Sequence, residues 1–154
     1  MAGALNGLRV LDLTSVLMGP FATQLMADMG ADVIKVEPPV TGDPMREWGQ
    51  GAEKVQWEVI ARNKRSVSAN LRVPEGQALV RRLIAHADVL IENFKPGTLE
   101  RWGMSPAELH AINPGLIIAR MSGYGQDGPY SERAGFGGIG EAMGGWRYIV
   151  GDPD

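Results

Sequence analysis

The sequence predicts an α/β layer fold: an open parallel sheet with helices on both faces, Rossmann-like in its alternation. Three observations point there. Strand-like and helix-like pieces alternate along the 154 residues, the pattern of a layered domain rather than of separate sheets and helices. The first strand, helix and second strand follow so closely that they require a crossover connection, which is right-handed in nearly all cases. The length suits one domain with a buried core.

Residues 8–13 (LRVLDL) read as the first buried strand. Gly19-Pro20 opens a helix, with Pro20 suited to its first position. Phe21, Leu25 and Met29 repeat at four-residue spacing and give that helix an apolar stripe. Gly30 ends it through a left-handed cap. Residues 32–36 (DVIKV) form the second strand. Residues 38–58 hold Gly42, Pro44, Gly49 and Gly51 without a clear period, so a surface loop is expected. A third strand is expected over 66–71 and a helix over 74–87, with Leu79, Leu83 and Ile84 on one face. Residues 88–91 make the next strand. Ser105-Pro106-Ala107-Glu108 is a capping box that starts a short helix. Residues 116–121 are a further strand, and the glycine-rich segment 135–145 is helical around 139–143.

Composition narrows the function. Fifteen Lys and Arg stand against 18 Asp and Glu, so no basic field addresses nucleic acid or an anionic membrane. Cysteine is absent, which removes disulfides, thiol nucleophiles and thiolate metal sites. With only His86 and His110, a histidine-rich metal site is excluded as well. No apolar run approaches the roughly 18 residues of a membrane span. No targeting segment is visible, and the cytoplasm is the expected location.

The most informative stretch is 88–102, DVLIENFKPGTLERW. An apolar run stops at Glu92 and Asn93, and Phe94, Lys95 and a Pro96-Gly97 turn follow at once. Arg101 comes one helical turn later. Open α/β sheets bind ligands at their strand ends. Two cations, an aromatic face and an amide suit a ligand with phosphates and a flat ring; a strand, a loop and a solvated helix start would read the same. Residues 14–19 (TSVLMG) lead into the first helix, where free N–H groups and the helix dipole favour an anion, unless this is an ordinary strand-to-helix turn. Neither GxGxxG nor GxxxxGK[ST] is present, so a dinucleotide fingerprint and a P-loop are both unsupported. Asn63-Lys64-Arg65-Ser66 and Ala69-Asn70-Leu71-Arg72 form a second basic cluster, which could equally be a solvated face. Gly123-Tyr124-Gly125 opens a third loop whose glycines permit close approach of backbone to ligand.

These segments carry a family resemblance. LNGLRVLDLTSVLMGPFATQLMADMGADVIKVEPP at the start, NKRSVSANLRVPEGQALVRRL in the centre, DVLIENFKPGTLERW, and GYGQDGPYSERAGF beyond it fall in order from Leu5 to about Gly145. Together they resemble the N-terminal part of the class III CoA-transferases, a superfamily that includes formyl-CoA transferase, carnitine and bile-acid CoA-transferases, and α-methylacyl-CoA racemases. The resemblance implies that residues 1–154 are an N-terminal CoA-binding α/β domain of a larger, interlocked homodimeric fold. It places Val16, Leu17, Ala69, Asn70, Leu71, Arg72, Asn93, Phe94, Lys95, Arg101, Gly123, Tyr124 and Phe136 at coenzyme A. Many relatives carry a polar residue where this chain has Leu17. A family basic position after the second strand is Pro38 here, with Lys35 or Arg46 as the substitute.

The resemblance also implies a chemistry. Coenzyme A and acyl-CoA are substrates, a carboxylic acid is the acceptor, and no cofactor is tightly bound. An aspartate attacks the donor acyl-CoA to form a mixed anhydride. The released CoA thiolate attacks the aspartyl carbonyl, giving an aspartyl-CoA thioester and freeing the donor acid. The acceptor carboxylate then takes the acyl position, and CoA returns to it. That aspartate is expected beyond residue 154. Asp152 and Asp154 lie in a Gly-Asp-Pro run that reads as turn chemistry. Related racemases carry a His-Asp pair where this chain has Phe136-Gly137, and phenylalanine cannot exchange a proton. Transferase is therefore the expected activity of the whole enzyme. The alternatives are an acyl-CoA racemase with a relocated base or a non-catalytic nucleotide-binding module.

Overall fold

The computed structural model describes residues 3–49 and 55–151. The chain runs β1 (Arg9–Asp12), α1 (Met18–Asp28), β2 (Asp32–Glu37), a 3-10 turn (Pro44–Glu47), α2 (Val55–Ala61), β3 (Lys64–Ser68) and α3 (Pro74–Ile84). It continues through β4 (Val89–Glu92), α4 (Thr98–Arg101), α5 (Pro106–Ile112), β5 (Ile117–Arg120), α6 (Gly137–Met143) and α7 (Trp146–Ile149). The five strands form one sheet in the order β3-β2-β1-β4-β5. Every pairing is parallel. All strand C-termini therefore lie along one edge of the sheet.

The pleat sends alternate residues to opposite faces, and each face has its own core. Leu11, Leu13, Ile34, Val36 and Leu90 pack with Val80 and Ile84 of α3, Leu99 of α4 and Leu109 of α5. Val10, Val33, Val89 and Ile91 pack with Ala27 of α1 and with Ala31. Helices thus cover both faces, as the sequence predicts. The capping box is complete: Glu108 N donates to Ser105 Oγ at 3.3 Å, and Ser105 N donates to Glu108 Oε2 at 2.8 Å. Gly30 follows the end of α1 at φ +100°.

Besides the third strand, which runs Lys64–Ser68 and not over 66–71, three expectations need correction. The stripe of Phe21, Leu25 and Met29 faces outward, at 47%, 43% and 51% exposure. The buried face of α1 is Gly19, Pro20, Thr23, Gln24 and Ala27. A buried ionic group dictates this choice. Thr23 Oγ1 donates to Asp12 Oδ2 at 2.6 Å, and Lys64 Nζ donates to Thr23 Oγ1 at 2.8 Å and to the Pro20 carbonyl at 2.6 Å. These charges need polar partners, so the helix turns its hydroxyl face inward. Second, Pro20 occupies the third helical position, because α1 begins at Met18. Third, the expected loop over 38–58 contains the 3-10 turn, capped by Asp43, and the start of α2; Gly51 lies outside the described residues, as do Asp152 and Asp154.

Candidate functional site

From β1 the chain winds outward through β2 to β3, and from β4 it winds the other way to β5. The direction reverses between β1 and β4, which opens a crevice at their C-terminal ends. There the β1–α1 loop meets the end of β4. Asn93 clasps Ser15 from both sides: its Oδ1 accepts from Ser15 N and its Nδ2 donates to the Ser15 carbonyl, each at 2.9 Å. Val16 follows at φ +70°, a conformation that β-branched residues avoid. Leu17 is 45% exposed at the lip of α1.

Charge lies beneath this loop. Lys35 and Asp43 are buried and meet at 2.9 Å. Asp43 Oδ2 accepts no hydrogen bond among the described residues, so this contact is ionic and off the hydrogen-bond axis. Lys35 Nζ donates instead to the Thr14 carbonyl at 2.8 Å. Lys64 and Asp12 meet at 3.2 Å. Burial pushes the Asp12 carboxyl up, but Lys35, Lys64 and the Thr14 and Thr23 hydroxyls outweigh it and hold the pKa below its usual value. Burial lowers the Lys64 ammonium against the pull of Asp12.

At the end of β4, Glu92 is fully buried. Burial pushes its carboxyl up, opposed by Arg120 Nε at 2.8 Å and by the Phe94 N–H at 2.6 Å. Arg120 also reaches Glu100 at 2.7 Å, tying β4, β5 and α4 together. Phe94 is half-buried and meets Trp102 edge-on, with centroids 5.2 Å apart. Its ring packs against the core on that face of the sheet.

After β3, Ala69 is a core residue whose N–H donates to the Glu37 carbonyl. Asn70 Oδ1 accepts from Arg72 N at 3.0 Å and shapes the turn, and Leu71 packs on the core. Beyond β5, Gly123 returns against Gly135, so Phe136 lies next to that junction and is 75% exposed. Tyr124 packs edge-on against Tyr130 inside the loop, 5.6 Å between centroids.

The structure gathers Val16, Leu17, Asn93 and Phe94 at the switch point. It sets 69–72 two strands from β1, at the far end of the same edge. Lys35 does not substitute for a cation at position 38, because its ammonium is enclosed. Arg46 is also committed: it pairs with Glu37 through two hydrogen bonds of 2.8 and 2.9 Å and stacks 4.2 Å over Trp57. Arg72, Lys95 and Arg101 are different. All three are exposed on this edge, and none forms an ion pair among the described residues. The Arg101 guanidinium donates a 2.9 Å hydrogen bond to Thr98 Oγ1.

The family model of CoA-transferase family III matches residues 5–154. The chain belongs to this family. A succinyl-CoA–D-citramalate CoA-transferase from Chloroflexus aurantiacus is 61% identical over 153 residues, covering 97% of this chain and 38% of that protein. The human succinyl-CoA:glutarate CoA-transferase is 42% identical over 150 residues, covering 96% of the chain and 34% of that enzyme. Among solved structures, a CaiB/BaiF family protein from Brucella suis superposes with a TM-score of 0.92 at 45% identity, over 100% of this chain and 42% of its own. The family III chain thus spans well under half the length of the relatives it matches.

Asp43, Glu92 and Arg120 are absent from the sequence-based site. Asp43 sits among turn residues, and a Pro44 after it suggests only punctuation. Glu92 and Arg120 become partners through β4–β5 register, where Glu92 faces Arg120, and register is not visible before strands are paired.

Proposed function

We propose that this family III chain binds coenzyme A along the C-terminal edge of its sheet, as the N-terminal part of an enzyme that moves CoA between an acyl-CoA and a carboxylic acid. The observation that carries it is the set of Arg72, Lys95 and Arg101, exposed along the same edge as the clasped β1–α1 loop and free of ion pairs among the described residues. Coenzyme A has a 3′-phosphate and a diphosphate, and unpaired guanidinium groups suit both. The names of the similar enzymes support succinyl-CoA as donor and a dicarboxylic acid as acceptor. Phe136, at a position that carries acid–base chemistry in related racemases, supports transfer over racemisation. The nucleophilic aspartate is supplied from outside residues 1–154, and the working enzyme is a cytoplasmic homodimer. The outward stripe of α1 supports a covered surface in that dimer.

Titration calorimetry of the chain with CoA, ADP and AMP tests the binding half. Binding of CoA well ahead of ADP and AMP is expected. Equal binding of all three would replace this reading with a general nucleotide-binding module.

A further inference from the structure

We propose that Lys35 and Asp43, acting with Asn93, are positioning residues that hold the β1–α1 loop in the shape that receives coenzyme A, Lys35 and Asp43 without touching the ligand themselves. This rests on the CoA reading above.

The loop is held at three successive residues by side chains from elsewhere in the chain. Lys35 of β2 holds the Thr14 carbonyl at 2.8 Å. Asn93, after β4, holds both the N–H and the carbonyl of Ser15. Asp43 Oδ1, before the 3-10 turn, accepts from Val16 N at 3.1 Å. Val16 stands at φ +70°, which costs free energy for a β-branched residue and persists only where its surroundings over-determine it. The three holds supply that over-determination. Left to its own preference, the loop would relax and move Leu17 and the first N–H groups of α1.

Lys35 is 2% exposed and Asp43 1% exposed, so neither side chain reaches a ligand. Their own positions are fixed in turn. Lys35 is in register with Asp12 of β1 and Ser66 of β3. Asp43 N donates to Glu37 Oε2 at 3.0 Å, and Asp43 Oδ1 also accepts from Met45 N at 2.9 Å. A buried ion pair is a poor source of stability, because desolvation consumes much of its attraction. What this pair achieves is placement: it locks β2 and the 3-10 turn to one backbone carbonyl and one N–H of the loop.

The test is a double-mutant cycle on the chain, read as CoA affinity by calorimetry. Asp43→Ala is made in the native background and in Val16→Gly, where glycine takes φ +70° without penalty. Asp43→Ala should weaken CoA binding roughly tenfold or more in the native background and about threefold or less in the glycine background. Equal losses in both, or no loss in the native background, would overturn the proposal. Asp43→Asn is the milder variant if the alanine protein does not fold. It keeps an acceptor for Val16 N but turns a donor toward Lys35, and its loss should likewise shrink in the glycine background. Amide hydrogen exchange gives a reading independent of ligand. The Val16 amide should be protected in the native chain and exposed in Asp43→Ala while the Leu11 and Leu90 amides stay protected. If the native chain binds no CoA, the ligand reading fails and the exchange pattern alone decides: unprotected Val16 in the native chain overturns the positioning role, and protection lost on substitution supports it.

Discussion

Gly123 and Gly135 lie back to back: a Cβ on Gly123 would sit 2.3 Å from Gly135 Cα, and one on Gly135 would sit 2.2 Å from Gly123 Cα. No side chain fits between them. The intervening loop is closed at its neck by this contact and filled by its own residues, with Tyr124 against Tyr130 and Arg133 4.1 Å over the Tyr130 ring. It is a compact loop of the kind that carries function on a rigid scaffold. Gly135→Ala should therefore open the neck without unfolding the sheet. Trypsin should cut after Arg133 several-fold faster, on the order of the local opening free energy lost, while the urea midpoint stays within error. An unchanged digestion rate would show that the neck tolerates a methyl group.

Arg72 and Arg101 should act on ligand and not on stability. Neither has an ion pair to lose among the described residues. Arg72→Ala and Arg101→Ala should each weaken CoA binding by about 1.5–3 kcal/mol, the usual worth of a charge-assisted hydrogen bond, with a melting temperature close to native. Unchanged affinity in calorimetry would remove both from the site.

Lys64 and Asp12 form the opposite case, a pair whose loss should be structural. Lys64 Nζ is satisfied by Asp12, Thr23 and the Pro20 carbonyl. Asp12→Ala leaves that ammonium buried with no counter-charge at its tip and should cost about 3–5 kcal/mol in urea unfolding. Adding Lys64→Met to Asp12→Ala should recover a large part of the loss. Additive losses in the double variant would mean that packing, not charge, dominates there.

The fold was largely legible in the sequence because its signals are local. Short apolar runs, the Ser105 capping box and Gly30 each mark an element within a few residues. A site at the strand ends was expected from the fold class alone, and Arg72, Lys95 and Arg101 were visible as members of two basic clusters. What escaped was non-local. The stripe of Phe21, Leu25 and Met29 gave the period of α1 correctly but the wrong inward face, because the deciding partners, Asp12 and Lys64, come from two different strands. Lys35 read as a cation available for phosphate until β2 was seen to be a buried strand beside Asp43. Asn93 read as a ligand contact, but its clasp on Ser15, 78 residues away in sequence, was not visible before the strands were paired.

Glu37 supplies a pH dependence. Burial alone would raise its carboxyl, but hydrogen bonds from Arg46, Ser66 and the Asp43 N–H outweigh it and hold the pKa at about 2, against 4.5 in the unfolded chain. The folded state therefore binds this proton less readily than the unfolded state. The stabilisation is fully present above about pH 4.5 and is lost as pH falls toward 2. Its ceiling is about 3 kcal/mol by linkage, lowered by solvent around Arg46, whose side chain is 39% exposed. Asp12, Asp32 and Glu100 are depressed too, so the native protein alone would blend several groups. Comparing native and Glu37→Gln unfolding free energies from about pH 7 to pH 3 separates Glu37 from the rest. The native protein should be more stable at neutral pH, and the gap should narrow steadily below about pH 4.5. A gap that stays constant across that range would mean that Glu37 is held by shape and not by its charge.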